Sequence, residues 1–201
     1  MDLFASQQPS KQEIVKDAFL LQGFALSTGA LILADLLQVI SAAPLRNMVT
    51  PGGFVMSVTM TNCGTLGWVT DRTGYRYTAH DPVSGKPWPT MPDSLITLAQ
   101  QAASEAGFDA FLPDACLINQ YKVGARMSLH QDKNELDFKQ PIVSVSLGLP
   151  AIFQFGGLAR ADKPIRIPLN HGDGVLPLKA DAHIVPALGE YRINLTFRKA
   201  G

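Results

Sequence analysis

From Ala115 to its C-terminus the chain breaks into short apolar runs divided by glycine and proline, and this texture constrains the fold more than any other feature. Residues 115–121, 142–147, 151–155, 165–169, 183–188 and 191–198 each have the length of a strand. Pro141, Gly148-Leu149-Pro150, Gly156-Gly157 and Leu188-Gly189-Glu190 punctuate them. Short strands at such regular spacing predict a closed or double-sheet β architecture of the jelly-roll kind. The expected class is mainly β with flanking helices (α+β).

Two helices are expected upstream. After Ser27-Thr28, the stretch from Gly29 to Ala43 sets Leu33, Leu36, Leu37 and Ile40 at the spacing of one helical face, and Pro44 closes it. Pro92-Asp93-Ser94 opens a second helix. It carries Leu95, Leu98, Ala99, Ala102 and Ala106 on one face, with Gly107 as its stop. Between the two, residues 48–88 are rich in glycine, threonine, aromatics and proline, which predicts hairpins and loops over a functional face. Residues 1–17 are polar and expected to form a flexible tail. Residues 18–114 then carry the helices and hairpins, and 115–201 the β core, all within one structural domain.

Lysine plus arginine equals aspartate plus glutamate at 17 each, so any nucleic-acid partner must be met by a local patch rather than a global field. Cys63 and Cys116 sit in unrelated contexts, without Cys-x-x-Cys spacing, and suit a reducing compartment. The N-terminus lacks the pattern of a signal peptide. The longest apolar region, residues 31–40, is interrupted by Asp35 and Gln38 and is too short to span a bilayer. The expectation is a soluble, cytoplasmic, monomeric protein with no membrane partner.

Chemistry concentrates in His130-Gln131-Asp132. In an extended chain His130 and Asp132 share a face, giving two of the three ligands of the two-His-one-carboxylate triad that holds non-haem Fe(II). Alone, the tripeptide has low specificity. The last strand adds independent weight. Ile193, Leu195 and Phe197 share one face, and Arg192, Asn194, Thr196 and Arg198 share the other. The two arginines are six residues apart, roughly 20 Å along the backbone by strand rise, and their guanidiniums can reach back toward each other around a small dicarboxylate. A solvated polar face on an edge strand is the other reading. Asn119 and Tyr121 also share a face, either as partners of the same anion or as ordinary barrel-lining residues.

Taken in order, Asn119-x-Tyr121, His130-x-Asp132 and Arg192-x-Asn194-Leu195-Thr196-Phe197-Arg198 resemble the AlkB family of Fe(II)/2-oxoglutarate dioxygenases. The likeness extends to Met48-Val49-Thr50-Pro51-Gly52-Gly53, Thr61-Asn62-Cys63-Gly64 with Leu66-Gly67-Trp68, and the run from Leu112 to Asn119. It covers the chain from about residue 18 onward. The resemblance implies a double-stranded β-helix with an N-terminal nucleotide-recognition lid. It implies Fe(II) at His130 and Asp132, with 2-oxoglutarate held by Asn119, Tyr121, Arg192, Asn194 and Arg198, and O2 as co-substrate. The implied reaction hydroxylates an N-methyl group on a damaged base in single- or double-stranded DNA, with RNA as a further candidate, and releases formaldehyde. A base must leave its stack for this chemistry. Trp68 and Tyr75 match family residues that line the pocket, and Thr50, Arg126, Gln131, Lys133 and Arg160 match backbone- and base-contacting positions.

Two departures stand out. The family has an acidic residue two places after the metal aspartate, where this chain has Asn134, which presents donors as well as an acceptor. After His171-Gly172-Asp173 the family continues through a strand to the distal metal histidine, whereas this chain passes directly to Gly174-Val175-Leu176. No residue matches the third ligand; His171 and His183 match non-ligand positions, with His183 a conceivable substitute, and His171 and His80 read most simply as strand-end and loop residues. The short junction predicts a sheet missing a core strand and left with an unpaired edge. Either a segment belongs between Asp173 and Gly174, or the chain is a metal-poor, catalytically impaired nucleic-acid-binding relative. A dioxygenase acting on a protein side chain or small molecule is a further alternative.

Overall fold

The computed structural model describes residues 9–127, 130, 139–156, 162–176, 182–186 and 191–201. The N-terminal half contains β1 (Ser10–Val15), β2 (Ala18–Gln22), α1 (Gly29–Ala42), β3 (Arg46–Val49), β4 (Val55–Gly64), β5 (Gly67–Asp71), β6 (Gly74–Thr78) and α2 (Asp93–Glu105). The C-terminal half contains β7 (Ala115–Lys122), β8 (Val143–Gly148), β9 (Ala151–Phe155), β10 (Ile165–Leu169), β11 (Gly174–Leu176), β12 (Ala182–Pro186) and β13 (Tyr191–Arg198). An eight-stranded sheet has the order β1-β2-β11-β8-β13-β7-β4-β3, a second sheet the order β10-β9-β12, and β5-β6 form a separate hairpin.

The large sheet buries apolar residues on both faces, and strand parity assigns the faces. Ile193, Leu195 and Phe197 of β13 join Ile118, Val143, Val145 and Leu147 in a core shared with Leu36 of α1 and with Leu95, Leu98 and Ala102 of α2. On the opposite face Met60, Leu117, Tyr121 and Val175 pack with Phe153, Phe155, Ile167 and Leu169 of the second sheet. Helices therefore cover one face of the large sheet and the small sheet covers the other, as the jelly-roll expectation requires. Each fully buried leucine or isoleucine in these layers contributes roughly 1.5–3 kcal/mol.

Four sequence expectations are altered. Ser10–Val15, placed with a loose tail, pairs with β2 as the edge of the large sheet. Its residues are almost all exposed, so backbone pairing rather than an apolar alternation defines it. In α1 the buried face is Gly29, Ile32, Leu36 and Val39, while Leu33 and Leu37 are exposed. A helix apolar on nearly all sides does not fix its own rotation, and tertiary packing chose it. The edge expected after Asp173 is closed, because β11 pairs with β2 on one side and β8 on the other. Finally, Cys63 and Cys116, unrelated in sequence, are directly paired across β4 and β7 and fully buried.

The second helix follows its pattern, burying Leu95, Leu98, Ala99 and Ala102 and ending before Gly107, which takes φ +89°. The strand expected at 183–188 is β12, and its last two residues lie outside the described set.

Candidate active site

The polar face of β13 is a buried stripe. β13 lies between β7 and β8, opposing Arg192 to Tyr121 and Gly148, and Asn194 to Asn119 and Ser146. Arg192, Asn194, Thr196 and Arg198 are all buried, as are Asn119 and Tyr121. The solvated-edge reading of this strand is therefore excluded, since an edge strand would leave its polar face wet.

A buried polar stripe must be satisfied. Arg192 Nη2 donates to Ser146 Oγ at 2.6 Å. Asn194 Nδ2 donates to Ser144 Oγ at 2.8 Å and to the Val145 carbonyl at 3.2 Å. Thr196 Oγ1 donates to Asn194 Oδ1 at 3.0 Å, and Asn119 Nδ2 reaches the same oxygen at 3.5 Å. Ser144 and Ser146 were not singled out from sequence, although their alternation with Val143, Val145 and Leu147 carried the signal. Arg192 Nε and Nη1, however, have no partner, nor has Asn119 Oδ1. Burial pulls the Arg192 guanidinium down to about 10, opposed by the neighbouring Tyr121. It remains a cation at neutral pH, with two buried N–H groups that have no partner. Burial also pushes the Tyr121 phenol up to about 12, against the pull of Arg192, so it stays a neutral hydroxyl.

Aromatic residues sit on the β5-β6 hairpin. Trp68 pairs with Tyr77 and Thr70 with Tyr75, so Trp68, Tyr75 and Tyr77 share one hairpin face. The Trp68 and Tyr75 rings stack with centroids 5.7 Å apart and planes 23° from parallel. Tyr75 is exposed and Trp68 half-buried. Asn62, fully buried on β4, clamps the tryptophan backbone. Its Oδ1 accepts the Trp68 N–H and its Nδ2 donates to the Trp68 carbonyl, both at 3.0 Å. Gly67 is required beside it, since a Cβ there would lie 2.4 Å from the Trp88 ring.

Of the other expected contacts, Thr50 closes the β3-β4 hairpin, its Oγ1 accepting the Phe54 N–H at 3.2 Å. Arg126 is exposed, its backbone fixed by two hydrogen bonds with Ser57 Oγ. His130 is exposed. Asp132, Gln131, Lys133, Asn134 and Arg160 lie outside the described residues.

The chain matches the model of the 2OG-Fe(II) oxygenase superfamily over residues 17–198. It is 52% identical to the alpha-ketoglutarate-dependent dioxygenase AlkB of Salmonella typhimurium, across all of this chain and 98% of that protein. The chain belongs to the AlkB dioxygenases. The corresponding Escherichia coli protein is 51% identical, again over all of this chain and 98% of that protein. The solved structure of OsALKBH1 superposes with a TM-score of 0.80, covering 94% of this chain and 99% of that one at 22% identity, a likeness of fold. The Salmonella alignment runs to 213 positions against 201 residues here, so that relative carries residues without a counterpart in this chain.

AlkB dioxygenases use Fe(II), 2-oxoglutarate and O2, and the two groups that need a protein site fit this chain differently. The co-substrate fits, because a dicarboxylate offers charged acceptors to the unpartnered Arg192 donors. For iron the described donor set is incomplete, since no three His, Cys, Asp or Glu side chains gather among the described residues. The His171 imidazole accepts the Gly148 N–H through Nδ1 at 2.9 Å. His80 is exposed and bridges to Pro87. His183 stands opposite Gln154, whose other partner is the exposed Arg166. No described helix is long and apolar enough to cross a membrane.

Proposed function

We propose that this AlkB-type chain oxidatively demethylates N-alkylated bases of the 1-methyladenine and 3-methylcytosine type in DNA, with RNA as a second substrate, and releases formaldehyde. It would act as a cytoplasmic monomer. The observation that carries this reading is the buried Arg192 cation with two unpartnered donors on a sheet bonded to a hairpin that presents a Trp68–Tyr75 stack. Asn119, Tyr121, Arg192, Asn194 and Arg198 would bind and orient the dicarboxylate. Trp68 and Tyr75 would stack on an extruded base, and stacking tolerates any base with a π-face. Thr50, Arg126, Gln131, Lys133, Asn134 and Arg160 would meet phosphates and base edges, the local set on which a protein without net charge must rely. In this class the metal carries the oxidation, and the protein positions co-substrate and methyl group and keeps water out.

The test is formaldehyde release from a single-stranded oligonucleotide carrying 1-methyladenine, dependent on Fe(II) and 2-oxoglutarate. Absence of turnover with the intact gene product sinks this reading. A second reading, a metal-poor domain that binds damaged nucleic acid, is favoured by the missing match to a third ligand. Iron analysis after reconstitution under nitrogen separates the two, with stoichiometric iron excluding the second.

A further inference from the structure

Polar contacts tie the β5-β6 hairpin to the large sheet. Thr70 Oγ1 donates to the Val49 carbonyl at 3.2 Å, and Asn62 clamps Trp68. A further contact is a hydrogen bond in which Arg198 Nη1 donates to Tyr77 Oη at 2.9 Å. Arg198 is buried on the same face of β13 as Arg192, at the far end of the polar stripe. Tyr77 is the cross-strand partner of Trp68 and shares the hairpin face of the Trp68–Tyr75 stack. The backbone beyond it is also held, since Trp88 Nε1 donates to the Thr78 carbonyl at 2.9 Å. The phenol thus arrives from a fixed strand. Its hydroxyl accepts from the guanidinium and so fixes one edge of the Arg198 fork.

We propose that Tyr77 is a positioning residue that couples co-substrate occupancy at Arg198 to the setting of the Trp68–Tyr75 platform, so that each ligand tightens the binding of the other. A carboxylate drawn onto Arg198 fixes the guanidinium, the guanidinium fixes the phenol, and the phenol fixes the strand paired with Trp68. Linkage requires the effect to be equal in both directions. The proposal rests on the reading of Arg198 as a co-substrate contact.

The experiment is equilibrium binding of 2-oxoglutarate under nitrogen with Fe(II) supplied, with and without a saturating single-stranded oligonucleotide carrying 1-methyladenine. The protein is compared with Tyr77→Phe, which keeps the ring and removes only the hydroxyl. In the parent the oligonucleotide is expected to tighten 2-oxoglutarate about fivefold or more. In Tyr77→Phe the factor is expected to collapse toward one, while each ligand alone still binds and the unfolding midpoint is unchanged. A side chain that merely filled space would not move this factor. Undiminished coupling in Tyr77→Phe, or a parent that binds both ligands independently, overturns the proposal alone. A parent that binds no 2-oxoglutarate overturns the co-substrate reading beneath it as well.

Discussion

The Arg192 guanidinium carbon lies 5.6 Å from the centroid of the Tyr121 ring, the two residues facing each other across the β7–β13 ladder with both side chains buried. A cation over a phenol face gains part of what it loses on leaving water, but two of its donors stay unpaired. Those unpaired donors are held at a cost, which an anion bound there would recover.

Arg192→Ala is therefore expected to weaken 2-oxoglutarate binding by at least tenfold, since each hydrogen bond to a charged group contributes about 1.5–3 kcal/mol. Arg192→Lys keeps the charge but not the planar fork, and should recover only part of the affinity. Isothermal titration of both variants against the parent checks this. Equal binding by Arg192→Ala would remove the guanidinium from the site.

The pH dependence follows from the direction of the Arg192 shift. Its folded value of about 10 lies below the usual guanidinium range. The buried cation thus costs stability at all pH below about 10, and the cost fades as pH rises from there toward the ordinary guanidinium value. Anion binding requires the charged form, so thermal stabilisation by 2-oxoglutarate should be flat through neutral pH and decline above about 10. Melting curves with and without ligand across that range measure it.

Gly67→Ala should destabilise the protein by about 1–3 kcal/mol, the usual cost of overpacking. The new Cβ would stand 2.4 Å from the Trp88 ring and 2.9 Å from Asn62 Cβ, neither of which is a flexible side-chain end. Because Asn62 holds Trp68, oligonucleotide binding should fall with stability. Denaturant titration and oligonucleotide binding read the two effects together.

The Cys63–Cys116 pair is expected to be inert in the native state. Burial, and then the adjacent Cys63, push the Cys116 thiol well above its ordinary range, and neither residue is exposed. Labelling by an aromatic disulfide reagent should therefore follow the rate of unfolding. Fast stoichiometric labelling of the folded protein would contradict the packing.

Strand parity and short-range spacing were legible in the sequence because they are local. The period of two in Arg192–Arg198 separated its polar from its apolar face, and the Leu95–Ala106 spacing marked the buried face of α2. Those patterns, with the ordered motifs from Asn119 to Arg198, determined the jelly-roll class and the family. The sequence could not decide whether the polar face of β13 is wet or dry, because that depends on β7 and β8 flanking the strand. Nor could it bring Cys63 to Cys116, turn α1 onto Ile32 and Val39, or seat Gly174–Leu176 between β2 and β8. Each of those is a contact between segments far apart in the chain. Loop closure and packing select such contacts, and no local period encodes them.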